Sequence, residues 1–209
     1  LYAWYMKADM KKLFSLKPPS PWALIGGVFM WAGMLCAEQV ILTLLVHVFP
    51  GMQQLSESMQ ETILNAGIIP AFLVISIMPA LGEEFAFRGF LFGSIKAKYK
   101  PWIAIVVSAV AFGAYHLNLL QFFGGVIMGL AFAWVCYATG SIWVGSLMHF
   151  INNGFSVLLN YNPELAKSIP VLGKEAYTVS DYLILSAAAV VFTFLGVLFI
   201  KIKRKSKEK

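Results

Sequence analysis

The chain has 209 residues, of which 59% are hydrophobic and only 12% are charged. Ordinary soluble domains contain about 25% charged residues, so this composition excludes a soluble globular protein and predicts an integral membrane protein. The first residue is Leu rather than Met, so we expect the natural chain to begin upstream with further residues or spans.

Long apolar segments recur along the whole chain and are separated by turn signals such as "FPGMQQ", "KAKYKPW", "ATGS" and "NYNPELAKSIP". About 20 apolar residues suffice for a helix to cross a bilayer. The sequence therefore predicts an all-α bundle of about six transmembrane helices that form a single domain over residues 1–209. The predicted spans are 22–49, 63–92, 102–117, 120–139, 141–160 and 181–201.

Basic residues are concentrated on one side of the predicted bundle. Thirteen of the sixteen Lys and Arg residues fall on that side, namely Lys7, Lys11, Lys12, Lys17, Lys96, Lys98, Lys100, Lys201, Lys203, Arg204, Lys205, Lys207 and Lys209. Lys167 and Lys174 fall on the other side. Because cytoplasmic loops are enriched in Lys and Arg, the basic segment 1–21, the basic tail 202–209 and both termini are predicted to be cytoplasmic. We expect the membrane to be the plasma membrane of a prokaryote. This distribution explains the net charge of +6 without a nucleic-acid partner.

Ionisable side chains inside the predicted spans, apart from those near span ends such as His47, are Glu38, Glu83, Glu84, Arg88, His116 and His149. Such groups are rare in membranes and usually face a bundle interior or a cavity, so each is a candidate functional residue. Glu84 and Arg88 are four residues apart, share a helix face and are predicted to pair. Glu83 projects about 100° away and misses the arginine. An unpaired carboxylate in a low dielectric is a candidate proton acceptor.

Two further pairs have the same helical spacing, and they lie on two other spans. They are Phe112 and His116 in "FGAYH", and His149 and Asn153 in "HFINN". A free glutamate and two histidines on three spans favour a chemical site over a packing role. Glu38 is interpreted as a structural or supporting residue. Asn152, Cys36 and Cys136 are given no chemical role, since the two cysteines have neither metal-ligand spacing nor a disulfide pattern.

The segments "EEFAFR", "FGAYH" and "HFINN" have the forms E-E-x-x-x-R, F-x-x-x-H and H-x-x-x-N. In this order, on separate spans, they resemble the CAAX protease and bacteriocin-processing (CPBP, or Abi) family of intramembrane endopeptidases. That family includes the endopeptidases that trim prenylated CAAX proteins. The resemblance covers residues 63–160 best, and it implies an endopeptidase that acts on a membrane-associated or prenylated protein or peptide.

The resemblance implies roles for six of the residues. Water activation is implied for Glu83 with His116, oxyanion stabilisation for His149 with Asn153, and support of the site for Glu84 and Arg88. General chemistry agrees with this division, because peptide hydrolysis needs a base for water and hydrogen-bond donors for a developing negative oxygen.

The resemblance leaves two mechanisms open. In one, Glu83 is the base and no cofactor is required; in the other, Glu83, His116 and His149 bind zinc, as in His2Glu catalytic sites. We favour the metal-free mechanism, because a Glu83 that binds metal is less available as a base and no H-E-x-x-H helix is present.

Other classes of function remain as alternatives. A non-catalytic membrane scaffold or a bacteriocin self-immunity protein would need the same bundle without the chemistry. A proton-coupled transporter would also place Glu and His in its spans. It would more typically show internal repeats or matching broken helices, which this sequence lacks.

Overall fold

The structure is a computed structural model that describes residues 9–49, 63–169, 174 and 177–205, with the backbone alone for 203–205. The described residues form helices and no strand. We number the helices in chain order: α1 (Met10–Leu13), α2 (Pro21–Val48), α3 (Ile68–Lys96), α4 (Pro101–Tyr115), α5 (Leu119–Thr139), α6 (Ile142–Tyr161), α7 (Pro163–Ser168) and α8 (Val179–Lys205).

The predicted bundle of membrane helices is confirmed. Five helices (α2, α3, α5, α6 and α8) are long and apolar enough to cross a membrane, while α4 is apolar but has only 15 residues. The helix predicted over 102–117 therefore falls short of a full span. Lys7, most of the "FPGMQQ" turn and the tail residues 206–209 lie outside the described residues.

Helix α3 is regular only in parts. Two π-helical stretches, Phe72–Ile77 and Phe85–Leu91, flank the α-helical turn Met78–Glu84 that contains both glutamates. Pro79 explains the first stretch, because proline has no N–H and its ring crowds the carbonyl four residues earlier. Wide turns of this kind are frequent at functional sites.

Helices α4 and α5 form a hairpin that turns between Tyr115 and Leu119. Helix α4 ends at His116, Leu117 follows with a left-handed φ of 53°, and Asn118 caps α5 by accepting from the N–H groups of Leu120 and Gln121. Glycines allow the two helices to approach closely, since a Cβ added to Gly125 would lie only 3.0 Å from the Cα of Gly113. The hairpin thus places His116 at its tip, close to α5.

The core lies between α5 and α6, with α2 and α8 packed along one side. Phe132, Val135, Val144 and Met148 are fully or almost fully buried in it. Helices α2 and α8 approach closely at glycines: a Cβ on Gly196 would lie 2.9 Å from the Gly26 carbonyl oxygen. Stacked aromatic rings extend this contact, with 5.4 Å between the centroids of Phe29 and Phe199.

Backbone contacts identify the two ends of the bundle. Ile142, after the α5–α6 turn, donates its N–H to the Ser15 carbonyl at 3.0 Å, and the Leu13 carbonyl packs against Gly93 of α3. The segment before α2, the end of α3 and the α5–α6 turn therefore lie at one end. At the opposite end the Tyr161 hydroxyl donates to the Leu64 carbonyl, and α7 follows there.

The asymmetry in loop charge predicts the orientation of the chain in the membrane. This prediction holds whether or not α4 crosses fully, because the hairpin of α4 and α5 begins and ends on the same side. Lys98→Cys and Lys167→Cys should be labelled by an impermeant thiol reagent from opposite sides, Lys98 from the cytoplasm. Both are introduced into a chain with Cys36 and Cys136 replaced. Equal labelling of the two positions from one side would contradict the predicted orientation.

Candidate active site

The centre of the site is a buried chain of three charged or polar groups. Arg88 Nη1 donates to Glu84 Oε1 at 2.8 Å, which confirms the predicted pair, and both side chains are 0% exposed. The Nδ1 atom of His149, on α6, lies 3.1 Å from the same Glu84 oxygen. Glu84 therefore joins α3 to α6, a contact that helical spacing within one segment does not reveal.

Aromatic rings and a backbone carbonyl complete the surroundings of Arg88. Its guanidinium carbon lies 4.3 Å from the ring centroid of Phe112 and 5.2 Å from that of Phe132, and Nη2 donates to the Gly129 carbonyl at 3.4 Å. Cation–π contacts and hydrogen bonds offset part of the cost of removing a guanidinium from water. Gly129 leaves room for this group, since a Cβ there would lie 3.2 Å from Nη2.

Glu83 faces the opposite side of the same imidazole. Its Oε2 lies 3.8 Å from His149 Nε2, and its side chain is 20% exposed. That oxygen is itself buried and has no hydrogen-bond partner among the described residues. The prediction that Glu83 misses Arg88 is consistent with this geometry. The sequence did not reveal that the two neighbouring glutamates flank one histidine.

His116 is anchored to its own helix. Its Nδ1 lies 2.9 Å from the Phe112 carbonyl oxygen, and its ring meets the Phe112 ring edge-to-face at 5.1 Å. The Phe112 ring also contacts His149 edge-to-face at 5.6 Å. One phenylalanine thus contacts both histidines, which gives the F-x-x-x-H spacing a structural reason. Among the described residues, no ion pair joins His116 directly to Glu83.

Hydrogen-bond partners assign the histidine tautomers. A carbonyl or carboxylate oxygen only accepts, so Nδ1 carries the proton in both His116 and His149. In the neutral ring Nε2 is then an acceptor, and it becomes a donor only when the ring is doubly protonated. His116 Nε2 is thus a candidate base, and His149 Nε2 can donate to an oxyanion in its doubly protonated form.

The two adjacent asparagines of α6 bond to different helices. Asn153 Nδ2 donates to the Ile75 carbonyl of α3 at 2.8 Å, so one of its two amide hydrogens is already used. Asn152 Oδ1 accepts from Trp31 Nε1 of α2 at 3.1 Å. Asn152, which was given no role from the sequence, links α6 to α2.

A zinc site would need Glu83, His116 and His149 to share one ion. Both histidines have Nδ1 tied to an oxygen acceptor, as in many zinc sites. No group of three His, Cys, Asp or Glu side chains is placed to hold a metal in the part of the chain that the structure describes. The side chains as positioned do not form a three-ligand centre, and metal independence stays a prediction.

The remaining candidates lie away from this centre. Glu38 of α2 packs against α5, where its carboxylate takes the space that a Cβ on Gly124 would need. Cys36 is partly buried and Cys136 is buried, and both are free thiols. These placements agree with the structural interpretation of all three side chains.

Comparisons with known proteins converge on one family. The family model of type II CAAX prenyl endopeptidases, Rce1-like, matches residues 65–155. The membrane-embedded CAAX protease MroQ of Staphylococcus aureus is 33% identical over 159 residues, which cover 70% of this chain and 61% of MroQ. YdiL of Bacillus subtilis, a membrane peptidase by its name, is 30% identical over 114 residues, which cover 54% of this chain and 47% of YdiL. No solved structure matches the chain.

The matched segment contains every residue of the buried centre. Residues 65–155 extend from the start of α3 to the middle of α6 and include Glu83, Glu84, Arg88, His116 and His149. The chain spans less than two thirds of the length of either relative. Through this segment the chain, an integral membrane protein, is similar to the Rce1-like CAAX prenyl endopeptidases.

Proposed function

We propose that this protein is an intramembrane endopeptidase that hydrolyses a peptide bond in a membrane-associated or prenylated, CAAX-like protein or peptide. The observation that carries the proposal is Glu83, a partly exposed carboxylate whose Oε2 has no hydrogen-bond partner in the described structure and lies 3.8 Å from His149. The name of MroQ, a CAAX protease, supports the substrate class. The proposed location is a prokaryotic plasma membrane with both termini cytoplasmic.

Water activation is the first proposed step. Glu83 and His116 Nε2 are the acceptors available to take a proton from water as its oxygen attacks the scissile carbonyl carbon. His116 suits this role because its Nδ1 proton is held by the Phe112 carbonyl, which leaves Nε2 free to accept. The proton is later given to the leaving amine as the C–N bond breaks.

Stabilisation of the oxyanion is the second proposed step. His149 in its doubly protonated form donates through Nε2, and Asn153 donates through the amide hydrogen that Ile75 does not use. Glu84 and Arg88 act indirectly: Glu84 holds His149 by Nδ1, and Arg88 neutralises Glu84. Scaffold, immunity and transport roles require none of these steps, so loss of cleavage on removing the base separates them from a peptidase.

Glu83→Gln tests the proposed base, because it keeps the shape of the side chain and removes proton acceptance. Cleavage of a membrane-delivered peptide in lipid micelles should fall by at least the 10²–10⁴-fold typical of general-base loss. Glu38→Gln is the matched control, since it makes the same change within a membrane helix away from the site, and it should cleave normally. Near-wild-type cleavage by a well-folded Glu83→Gln protein would refute the proposal.

Metal independence is tested by chelation. With Glu83 as the base, activity should survive exhaustive treatment with a strong chelator, and the purified protein should contain no stoichiometric zinc. The measurements are cleavage rate before and after chelation and metal content by mass spectrometry. Activity that disappears on chelation and returns with added zinc would assign Glu83, His116 and His149 to metal binding instead.

Glu84→Gln tests the buried ion pair. It leaves Arg88 unpaired inside the membrane, so the free energy of unfolding should fall by about 3–5 kcal/mol, together with the cleavage rate. Arg88→Lys keeps the positive charge and should be milder than Arg88→Ala, although it loses the planar guanidinium. Unfolding is followed by denaturant titration in micelles.

The exposed pair between Glu164 and Lys167, 2.9 Å apart, supplies the control for this comparison. Glu164→Gln should change stability little, because exposed ion pairs are screened by water. Equal losses from Glu84→Gln and Glu164→Gln would mean that the buried pair does not stabilise the site.

A further inference from the structure

Pro79 lies inside a membrane helix, where it removes a backbone hydrogen bond. In an α-helix the N–H of residue 79 would donate to the carbonyl of Ile75, but proline has no N–H and its ring crowds that carbonyl. Ile75 itself lies in the π-helical stretch Phe72–Ile77, at whose end the Met78 N–H donates to the Leu73 carbonyl, five residues back. Within a membrane, a carbonyl deprived of its donor must find another, because no water is available there.

Asn153 supplies a donor to this same carbonyl. Its Nδ2 lies 2.8 Å from the Ile75 oxygen. A second bond runs in the opposite direction, from the hydroxyl of Ser76 to the Phe150 carbonyl of α6 at 2.9 Å. Gly154 allows the two helices to come this close, since a Cβ there would lie 3.1 Å from the Phe72 ring.

The same two helices also form the centre of the site. Glu83 follows Pro79 by one helical turn on α3, and His149 precedes Asn153 by one turn on α6. The position of Glu83 relative to His149 therefore depends on the path of α3 at Pro79 and on the distance between α3 and α6. Both are set where Asn153 meets Ile75.

We propose that Asn153 is a positioning residue, which supplies the Ile75 carbonyl with the hydrogen bond that Pro79 cannot make and so fixes the path of α3 that places Glu83 beside His149. This role rests on the proposed function only for its effect on cleavage; the hydrogen bond itself is independent of any activity. It is separate from the oxyanion contact, which would use the other amide hydrogen.

A double-mutant cycle between Asn153 and Pro79 tests the inference without substrate. Asn153→Ala should lower the midpoint of thermal unfolding in micelles by about 2–4 °C. Pro79→Ala restores an N–H that can donate to Ile75, so the double variant Pro79→Ala, Asn153→Ala should recover most of that loss. Purely additive effects of the two substitutions on the unfolding midpoint would overturn the inference.

Cleavage kinetics test whether the bond positions Glu83 or only stabilises the fold. Asn153→Ala should lower kcat by about 10²-fold with little change in KM, because a displacement of about 1 Å is that costly. Pro79→Ala should lower kcat as well, because it changes the path of α3 that places Glu83, and the double variant should lose less activity than the product of the two single losses. Independent, multiplicative losses of kcat would overturn the positioning role.

Two control pairs make the rescue specific. Pro70→Ala removes a proline from the first turn of α3, where no N–H partner is needed, so it should not rescue Asn153→Ala. Pro79→Ala should not rescue Asn152→Ala, since Asn152 accepts from Trp31 and donates to Asn153 Oδ1, and neither bond involves the Ile75 carbonyl. Rescue in either control would overturn the inference. If the wild-type protein cleaved no substrate, the proposed function would fail, while the unfolding cycle would still decide the bond between Asn153 and Ile75.

Discussion

A single buried carboxylate, that of Glu84, determines much of the surrounding structure. A carboxylate in a bilayer is costly unless a positive charge and hydrogen-bond donors surround it. Arg88 supplies the charge from the same helix, and His149 supplies an N–H from α6. The requirement extends to a nearby residue: a Cβ on Gly145 would lie 3.1 Å from Glu84 Oε2, so glycine lets α6 pass close to the carboxylate.

The irregular backbone of α3 is stabilised by side chains from its neighbours. Ser108 of α4 donates its hydroxyl to the Phe87 carbonyl in the second π-helical stretch at 2.9 Å, as Asn153 does for Ile75 near the first. Non-α backbone is tolerated in a membrane only where the protein itself satisfies its polar groups. The turn that holds Glu83 and Glu84 is therefore fixed at both ends by other helices.

The three motifs found in the sequence correspond to parts of one assembly rather than to three separate sites. Phe112 contacts both His116 and His149, and its ring also covers Arg88. Each histidine is anchored through Nδ1, which leaves Nε2 for chemistry. The Phe112 carbonyl and the Glu84 carboxylate thus keep a proton on Nδ1 of each histidine. The proposed peptidase chemistry uses Nε2, the other ring nitrogen.

The sequence by itself determined the class of fold, and it predicted candidate residues for the site. Apolar length predicted the helices, and the i,i+4 spacing predicted the pair of Glu84 with Arg88, because both depend only on local helix geometry. Tertiary structure alone decided that Glu84 also contacts His149, that α4 is too short to span, and that Asn153 bonds to Ile75. These contacts join residues 65 to 78 positions apart, and helical periodicity carries no information about which helices become neighbours. Pro79 was the visible signal for the last contact, since a proline beyond the first turn of a membrane helix removes an N–H that would otherwise donate to a carbonyl.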